Sequence, residues 1–259
     1  MNDFLITERQ RVFGVPVDII TVKDILDKID FIIKNDIKHN NIMAVNAEKI
    51  MAAQKNGFLL KCLENAKFLI PDGTGATVAL KVIHNRKVER IPGADLMHYI
   101  CAESAKKGYK IFIYGAKEEV NKKAVEQLQK LYPGINIVGR CNGYISLNEM
   151  QKLIEQINNS GAQILFVALG SPKQELWISE NLTKLNVNIC QGIGGTLDTI
   201  AGAVRRAPYI FQKLGAEWIY RLLKQPNRIR RHINIWIFIF KVIKIWLIKK
   251  LPFKPTPTS

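Results

Sequence analysis

Acidic residues all but vanish from the last fifth of this 259-residue chain. Between Ala201 and Ser259, thirteen Lys and Arg face a single acid, Glu217. That fifth holds +12 of the net +16, so the first 200 residues are close to balance. A charge confined to one segment calls for an anionic partner there: nucleic acid, anionic lipid or a phosphate-bearing substrate. Cysteine is also scarce. Cys62, Cys101, Cys141 and Cys190 are widely spaced and form no C-x-x-C pair, which excludes a zinc ribbon and a small disulfide framework and leaves reduced, structural thiols. The histidines are scattered; His39, His84 and His98 read as surface or packing residues, and no metal cluster is expected. The first residues, MNDFLITERQ, lack a basic n-region and an apolar h-region, so no signal peptide is expected. No long apolar run occurs either. The longest unbroken one in the greasy C-terminal stretch, Ile235 to Phe240, has six residues, where a membrane span needs about twenty.

What is present is an alternation. Short β-rich runs, Ile42 to Asn46, Lys67 to Ile70, Lys110 to Gly115, Ile135 to Gly139, Gln163 to Gly170 and Val187 to Gly195, are separated by amphipathic helical runs, one from about Lys117 to Leu131. Strands alternating with helices of ten or more residues predict an α/β fold: a Rossmann-like, mostly parallel sheet with helices on both faces. We expect a catalytic domain over residues 1–203 and a basic, amphipathic C-terminal appendage over 204–259 with a frayed proline-rich end.

In open α/β sheets ligands sit outside the carboxyl ends of the strands, so the loops after the strands hold the candidate residues. Pro71-Asp72-Gly73-Thr74-Gly75 presents one carboxylate, readable as a helix N-cap or as a catalytic base. In Gly170-Ser171-Pro172-Lys173-Gln174-Glu175, Ser171 suits a cap, Pro172 a first helical position, and the free N–H groups of the turn an anion. Gln174 would project near the same rim; the alternative is a well-capped helix with a solvated first turn. Gly192-Ile193-Gly194-Gly195 could cradle phosphate. It matches neither the P-loop nor the full G-x-G-x-x-G, which argues against a nicotinamide cofactor; no cofactor is expected. The basic loop around Arg90 could fold over a site or lie solvated on the surface. No Asp-x-Asp pair occurs in the chain. Charge on a diphosphate would therefore fall to backbone N–H groups, Arg and Lys.

These motifs occur in order: VNAEK, IPDGTG, ERIPGADL, the YPG and NGY turns, ALGSPKQELW, GIGGTLDTIAG, VRRAP and EWIYRLLKQPNRIRR. Together, from Phe13 to Arg231, they resemble the WecG/TagA/CpsF glycosyltransferases. The resemblance implies an inverting, metal-independent enzyme. It would move an N-acetylmannosamine-type sugar from a UDP-sugar donor to polyprenyl-diphosphate-linked GlcNAc, for wall or capsule polymers. It also implies a cytoplasmic enzyme, peripheral on the inner face of the bacterial cell membrane. Asp72 matches the general base. Asn46, Arg90 and Gln174 match substrate-binding positions, Gly194 and Gly195 lie in the matching glycine turn, and Arg221, Arg228 and Arg231 match appendage arginines over the diphosphates. Ala44 stands where the family often has Thr, which bears on sugar identity more than on reaction type.

The stretch Pro226 to Lys250 is basic and greasy at once. Arg230, Asn234, Lys241 and Lys244 fall near one helical stripe, with Ile, Trp, Phe and Val over most of the rest. This suits a helix lying in an anionic membrane surface, with Trp236, Phe240, Lys241, Lys244 and Trp246 as contacts. Packing on the protein's own core or on a partner subunit is the alternative, and homo-oligomerisation stays open. Two other functions fit less well. A nucleic-acid-binding module would not interleave its cations with Ile, Phe and Val. A membrane-docked nucleotide-binding scaffold would have no need of Asp72 and Gln174.

Overall fold

The computed structural model describes residues 3–205, 207, 208, 211, 220 and 229–250, with backbone alone at 147 and 229–232. A short 3-10 turn, Asp3–Leu5, precedes a hairpin that the sequence did not announce. Strands β1 (Arg9–Val12) and β2 (Val15–Asp18) pair antiparallel. Their two-residue turn, Phe13-Gly14, has φ 50° and 86°, as a tight hairpin requires. Helix α1 (Val22–Lys34) follows, started by a capping box between Thr21 and Asp24. Its buried Ile25, Ile29, Ile32 and Ile33 recur at helical spacing.

Six parallel strands form the main sheet: β3 (Asn40–Val45), β4 (Phe68–Pro71), β5 (Lys110–Gly115), β6 (Asn136–Cys141), β7 (Ile164–Ala168) and β8 (Ile189–Gly192), in the order β4-β3-β8-β7-β5-β6. Each is one of the predicted runs, shifted by a few residues at its ends. Helices α2 (Ala47–Ala53) and α3 (Gly57–Glu64) link β3 to β4. Helices α4 (Thr74–His84) and α5 (Gly93–Lys107) lead to β5, and α6 (Glu118–Leu131) to β6. Helices α7 (Met150–Asn159) and α8 (Lys173–Asn181) precede β7 and β8, and α9 (Thr196–Ile200) follows β8. The architecture is thus the expected parallel sheet flanked by helices.

Alternation along the strands feeds two cores. Met43, Val45, Leu165, Val167, Phe112 and Tyr114 pack on one face, with side chains of α2, α3, α4, α7 and α8. Ile42, Ile164, Phe166, Ile111 and Ile113 pack on the other, with α1, α5, α6 and α9. Both faces being covered explains why the strands read as near-continuous apolar runs. Burial pushes the Cys101 thiol up to about 12 and raises that of Cys190 further, which fits inert, structural cysteines.

The hairpin closes one sheet edge. Asp18, fully buried, accepts from Arg9 Nε at 2.6 Å and from the Leu69 backbone N–H at 2.7 Å. Arg9 also donates to the carbonyls of Ala66 and Lys67. The outer side of β4 is therefore tied down rather than left as an open edge.

The C-terminal helix, Ile229–Lys250, packs against α2 and α4. Ile235, Phe238 and Val242 are buried on it. The Phe238 ring meets Phe13 edge-on, with centroids 5.3 Å apart. Among the described residues no helix is long and apolar enough to cross a membrane.

Candidate active site

Strands β4, β3, β8 and β7 are consecutive in the sheet, and the loops named from the sequence leave their carboxyl ends in that order. Asp72 follows β4, Asn46 follows β3, Gly194 and Gly195 follow β8, and Gln174 follows β7. A parallel sheet with right-handed crossovers delivers all these loops to one rim. The fourth loop joins them, because the Ile91 N–H donates to the Pro71 carbonyl at 2.9 Å. Arg90 therefore runs beside the turn that carries Asp72.

Local geometry decides between several sequence-based alternatives. The N-cap position of α4 belongs to Gly73 at φ 86°, not to Asp72, so Asp72 stands one residue outside the helix start. Its backbone N–H donates to the Val45 carbonyl, which ties the turn to β3. A Cβ at Gly73 would lie 3.8 Å from the Asn46 Cβ, so the two turns touch. Asn46 is itself the N-cap of α2: Oδ1 accepts from the Lys49 N–H at 2.9 Å. Ser171 does not cap α8; Pro172 takes the N-cap position and the helix starts at Lys173. Helices α4, α5, α8 and α9 all begin at this rim without a side-chain cap. Their positive ends leave the rim suited to an anion.

Gln174 does not project into the open. It is only 4% exposed. Its Nε2 donates to Glu175 Oε1 at 3.0 Å, and its Oε1 accepts from the Gly194 N–H at 2.8 Å. Gly192 makes this approach feasible, since a Cβ there would lie 2.7 Å from Gln174 Nε2. An N–H of the glycine turn expected to cradle phosphate is thus held by Gln174. Glu175 is 1% exposed and takes the Lys49 ammonium at 2.7 Å. Burial pushes its carboxyl up, but the charge and hydrogen bond of Lys49 and the bond from Gln174 outweigh it, leaving the carboxyl below its ordinary value. The sequence reading missed this pair. Its members are 126 positions apart, and the only signal was a charged residue within each of two quoted motifs.

Ala44 lies beneath the start of α5. A Cβ at Gly93 would come 3.2 Å from the Ala44 Cβ, so the first turn of that helix rests on the alanine methyl. Gln191 Nε2, on neighbouring β8, donates to the Gly93 carbonyl at 2.9 Å. Both contacts fix where α5 begins.

The C-terminal helix reaches this rim from one side. Gly75 faces it: a Cβ there would be 2.9 Å from the Ala47 Cβ and 3.5 Å from the Phe238 ring. Of the residues expected to meet a membrane, Trp236, Phe240, Lys244 and Trp246 are exposed. Lys241 turns inward, donating to Gln54 Oε1 at 2.8 Å with its ammonium over the Phe13 ring. Asn234, on the same polar stripe, accepts from Lys55. That stripe therefore flanks the protein contact instead of facing away. Arg221 and Arg228 lie outside the described residues, as does the side chain of Arg231. Among the described residues no group of three or more His, Cys, Asp or Glu could hold a metal ion.

The parallel α/β sheet thus brings a carboxylate, an asparagine and helix starts whose N-cap residues offer no side-chain cap to one rim. A model of the glycosyl transferase WecG/TagA/CpsF family matches residues 10–251. The chain belongs to this family of glycosyltransferases.

Proposed function

We propose that the protein moves an N-acetylmannosamine-type sugar from a UDP donor to the GlcNAc of a polyprenyl-diphosphate acceptor, with inversion, at the inner surface of a bacterial membrane. The observation that carries this reading is the position of Asp72, outside the start of α4 and touching the Asn46 turn. The acceptor hydroxyl oxygen forms a bond to the anomeric carbon. The bond from that carbon to the donor's β-phosphate oxygen breaks, and UDP leaves with the electron pair. The acceptor's proton passes to the Asp72 carboxylate. A single displacement of this kind needs one base and inverts the centre.

Charge growing on the leaving diphosphate has to be met. The sequence has no Asp-x-Asp pair. Uncapped helix starts at the rim and Arg90 supply N–H groups and positive charge. Arg221, Arg228 and Arg231 are proposed to add theirs.

The acceptor's polyprenyl tail keeps it in the bilayer, so the enzyme must reach the surface. The outward side of the C-terminal helix fits this need. Ile233, Trp236, Phe240, Ile243 and Leu247 are all exposed, at spacings of three and four. Lys244 and Lys250 flank them, and the Lys250 ammonium sits 4.1 Å from the Trp246 ring centroid. An apolar strip edged by lysines suits a headgroup boundary. In this reading residues 1–203 are the catalytic unit and 204–259 the membrane foot.

The test is transfer from a panel of UDP-sugars to a short-chain lipid-linked GlcNAc, with linkage analysis of the product. Replacing Asp72 by Asn should lower kcat by roughly 100- to 10,000-fold, the usual worth of a general base. An Asp72→Asn enzyme with wild-type kcat would remove Asp72 as the base, and a wild type that transfers none of these sugars would leave the membrane-docked scaffold standing.

A further inference from the structure

Behind the rim lies a polar relay with a fixed direction. A backbone N–H can only donate, and an ionised carboxylate can only accept. Gln174 stands between one of each, the Gly194 N–H and Glu175, at 2.8 Å and 3.0 Å. Only one orientation of its amide satisfies both. The Lys49 ammonium, 2.7 Å from the same Glu175 oxygen, keeps that carboxylate charged in surroundings that would otherwise favour its neutral form. Lys49 also belongs to the first turn of α2, where its own N–H is held by Asn46 Oδ1. One residue thus joins the asparagine turn after β3 to the glycine turn after β8, through α8.

We infer that Lys49 and Glu175 are positioning residues: they lock the Gln174 amide in one orientation and through it hold the Gly194 turn and the Asn46 turn in register at the rim. Both side chains are buried behind the rim and act through Gln174. A buried ion pair is a poor source of stability compared with apolar packing. Directional control of an amide is something apolar packing cannot supply. For the transfer reaction this inference rests on the proposed function; for the Gly194 turn it does not.

Glu175→Gln is the control, because the new amide oxygen can take the place of Oε1 and accept from both Lys49 and Gln174; it should behave as the wild type. The discriminating change is Glu175→Leu, which removes that oxygen. The Gln174 NH2 then has no acceptor, and nothing holds the amide oxygen toward the Gly194 N–H. The full chain, with vesicles carrying lipid-linked acceptor, is compared with this variant by amide exchange and by steady-state kinetics. We expect the Gly194 amide to exchange roughly three- to tenfold faster, the worth of one hydrogen bond. We expect kcat to fall roughly 100-fold, the order seen when an aimed donor is lost. Lys49→Arg, which keeps the charge, should retain most of both. The double change Lys49→Met with Glu175→Leu removes the charges together; it should fold and show the same loss, which covers poor folding of the single variant. A folded Glu175→Leu protein, or the folded double variant, with wild-type Gly194 exchange and wild-type kcat overturns the inference. If the wild type transfers no sugar but Gly194 loosens in Glu175→Leu or in the double variant, the relay stands and the transfer reading falls.

Discussion

Strand β7 and the C-terminal helix are both rich in Ile, Phe and Val, yet β7 hides every side chain while the helix hides one stripe and exposes another. The strand lies between two layers of helices, so alternation sends successive residues into two cores. The helix has the protein on one side only. Ile235, Phe238 and Val242 fill that side, and the equally apolar Trp236 and Phe240 remain 60% and 70% exposed. An apolar residue in this chain therefore has two meanings. In β7 it reports the core; in the C-terminal helix it reports either the core or an outward surface, according to its angle on the helix.

The sharpest way to break this comparison is to truncate one phenylalanine in each setting. Phe166→Ala, in the middle of β7, should cost about 3 to 5 kcal/mol of global stability, measured by urea unfolding. Phe238→Ala carries the same chemistry but loosens one helix. Exchange should rise along residues 229–250 and at the start of α4, while amides in β5 and β7 keep their protection. If both changes unfold the molecule together, the helix is part of the core and the division between regions is wrong.

Acid should separate the regions next. Asp30 on α1 accepts from Lys107 and Tyr109 and pairs with Lys34. The bonds from Lys107, Lys34 and Tyr109 hold its carboxyl far below the ordinary 3.8. A depressed carboxyl adds stability that is present above its unfolded value and is lost as pH falls through the folded one. Glu175, also depressed, has the same sign. The Tm should thus fall below about pH 4, and Asp30→Asn should lower it at pH 7 while flattening the acid limb. The C-terminal helix has no carboxylate from Ile229 to Lys250, so its own side chains add no such term. A wild-type Tm flat from pH 7 to pH 3 would remove these carboxylates from the account.

The smallest effect on folding should come from the outward stripe. Phe240→Glu should change stability by no more than about 0.5 kcal/mol, as surface changes do. Its consequence is expected in flotation with anionic vesicles, where binding should weaken sharply. Undiminished flotation, with Trp236→Glu added, would leave the stripe to some other cover.

The six strands of the sheet were legible because burial on both faces makes each one a short apolar run between turn residues. The β1–β2 hairpin was not. RQRV and VPVD are four residues each, mix charge with Val and include Pro16; they are held by Val12, Val15 and Val17 in the core and by Asp18 and Arg9 at β4, contacts no local pattern announces. The rim was legible in its loops, since Asp72, Asn46, Gln174 and the glycines follow strands. Its wiring was not. Nothing near Gln174 in the chain says that its amide is spent on Gly194, or that Lys49 stands behind Glu175. The C-terminal stretch failed for the opposite reason. Its apolar residues cover so much of the helix that periodicity could not say which stripe the protein would take.

Trp236 and Trp246 sit on the exposed part of that helix, whereas Trp177 is buried beside Tyr114. Whatever comes to cover the outward stripe will change the polarity around these two indoles and leave Trp177 alone; the fourth, Trp218, lies outside the described residues. The molecule thus carries its own optical gauge: a blue shift and a loss of iodide quenching would register arrival at a surface without any attached dye.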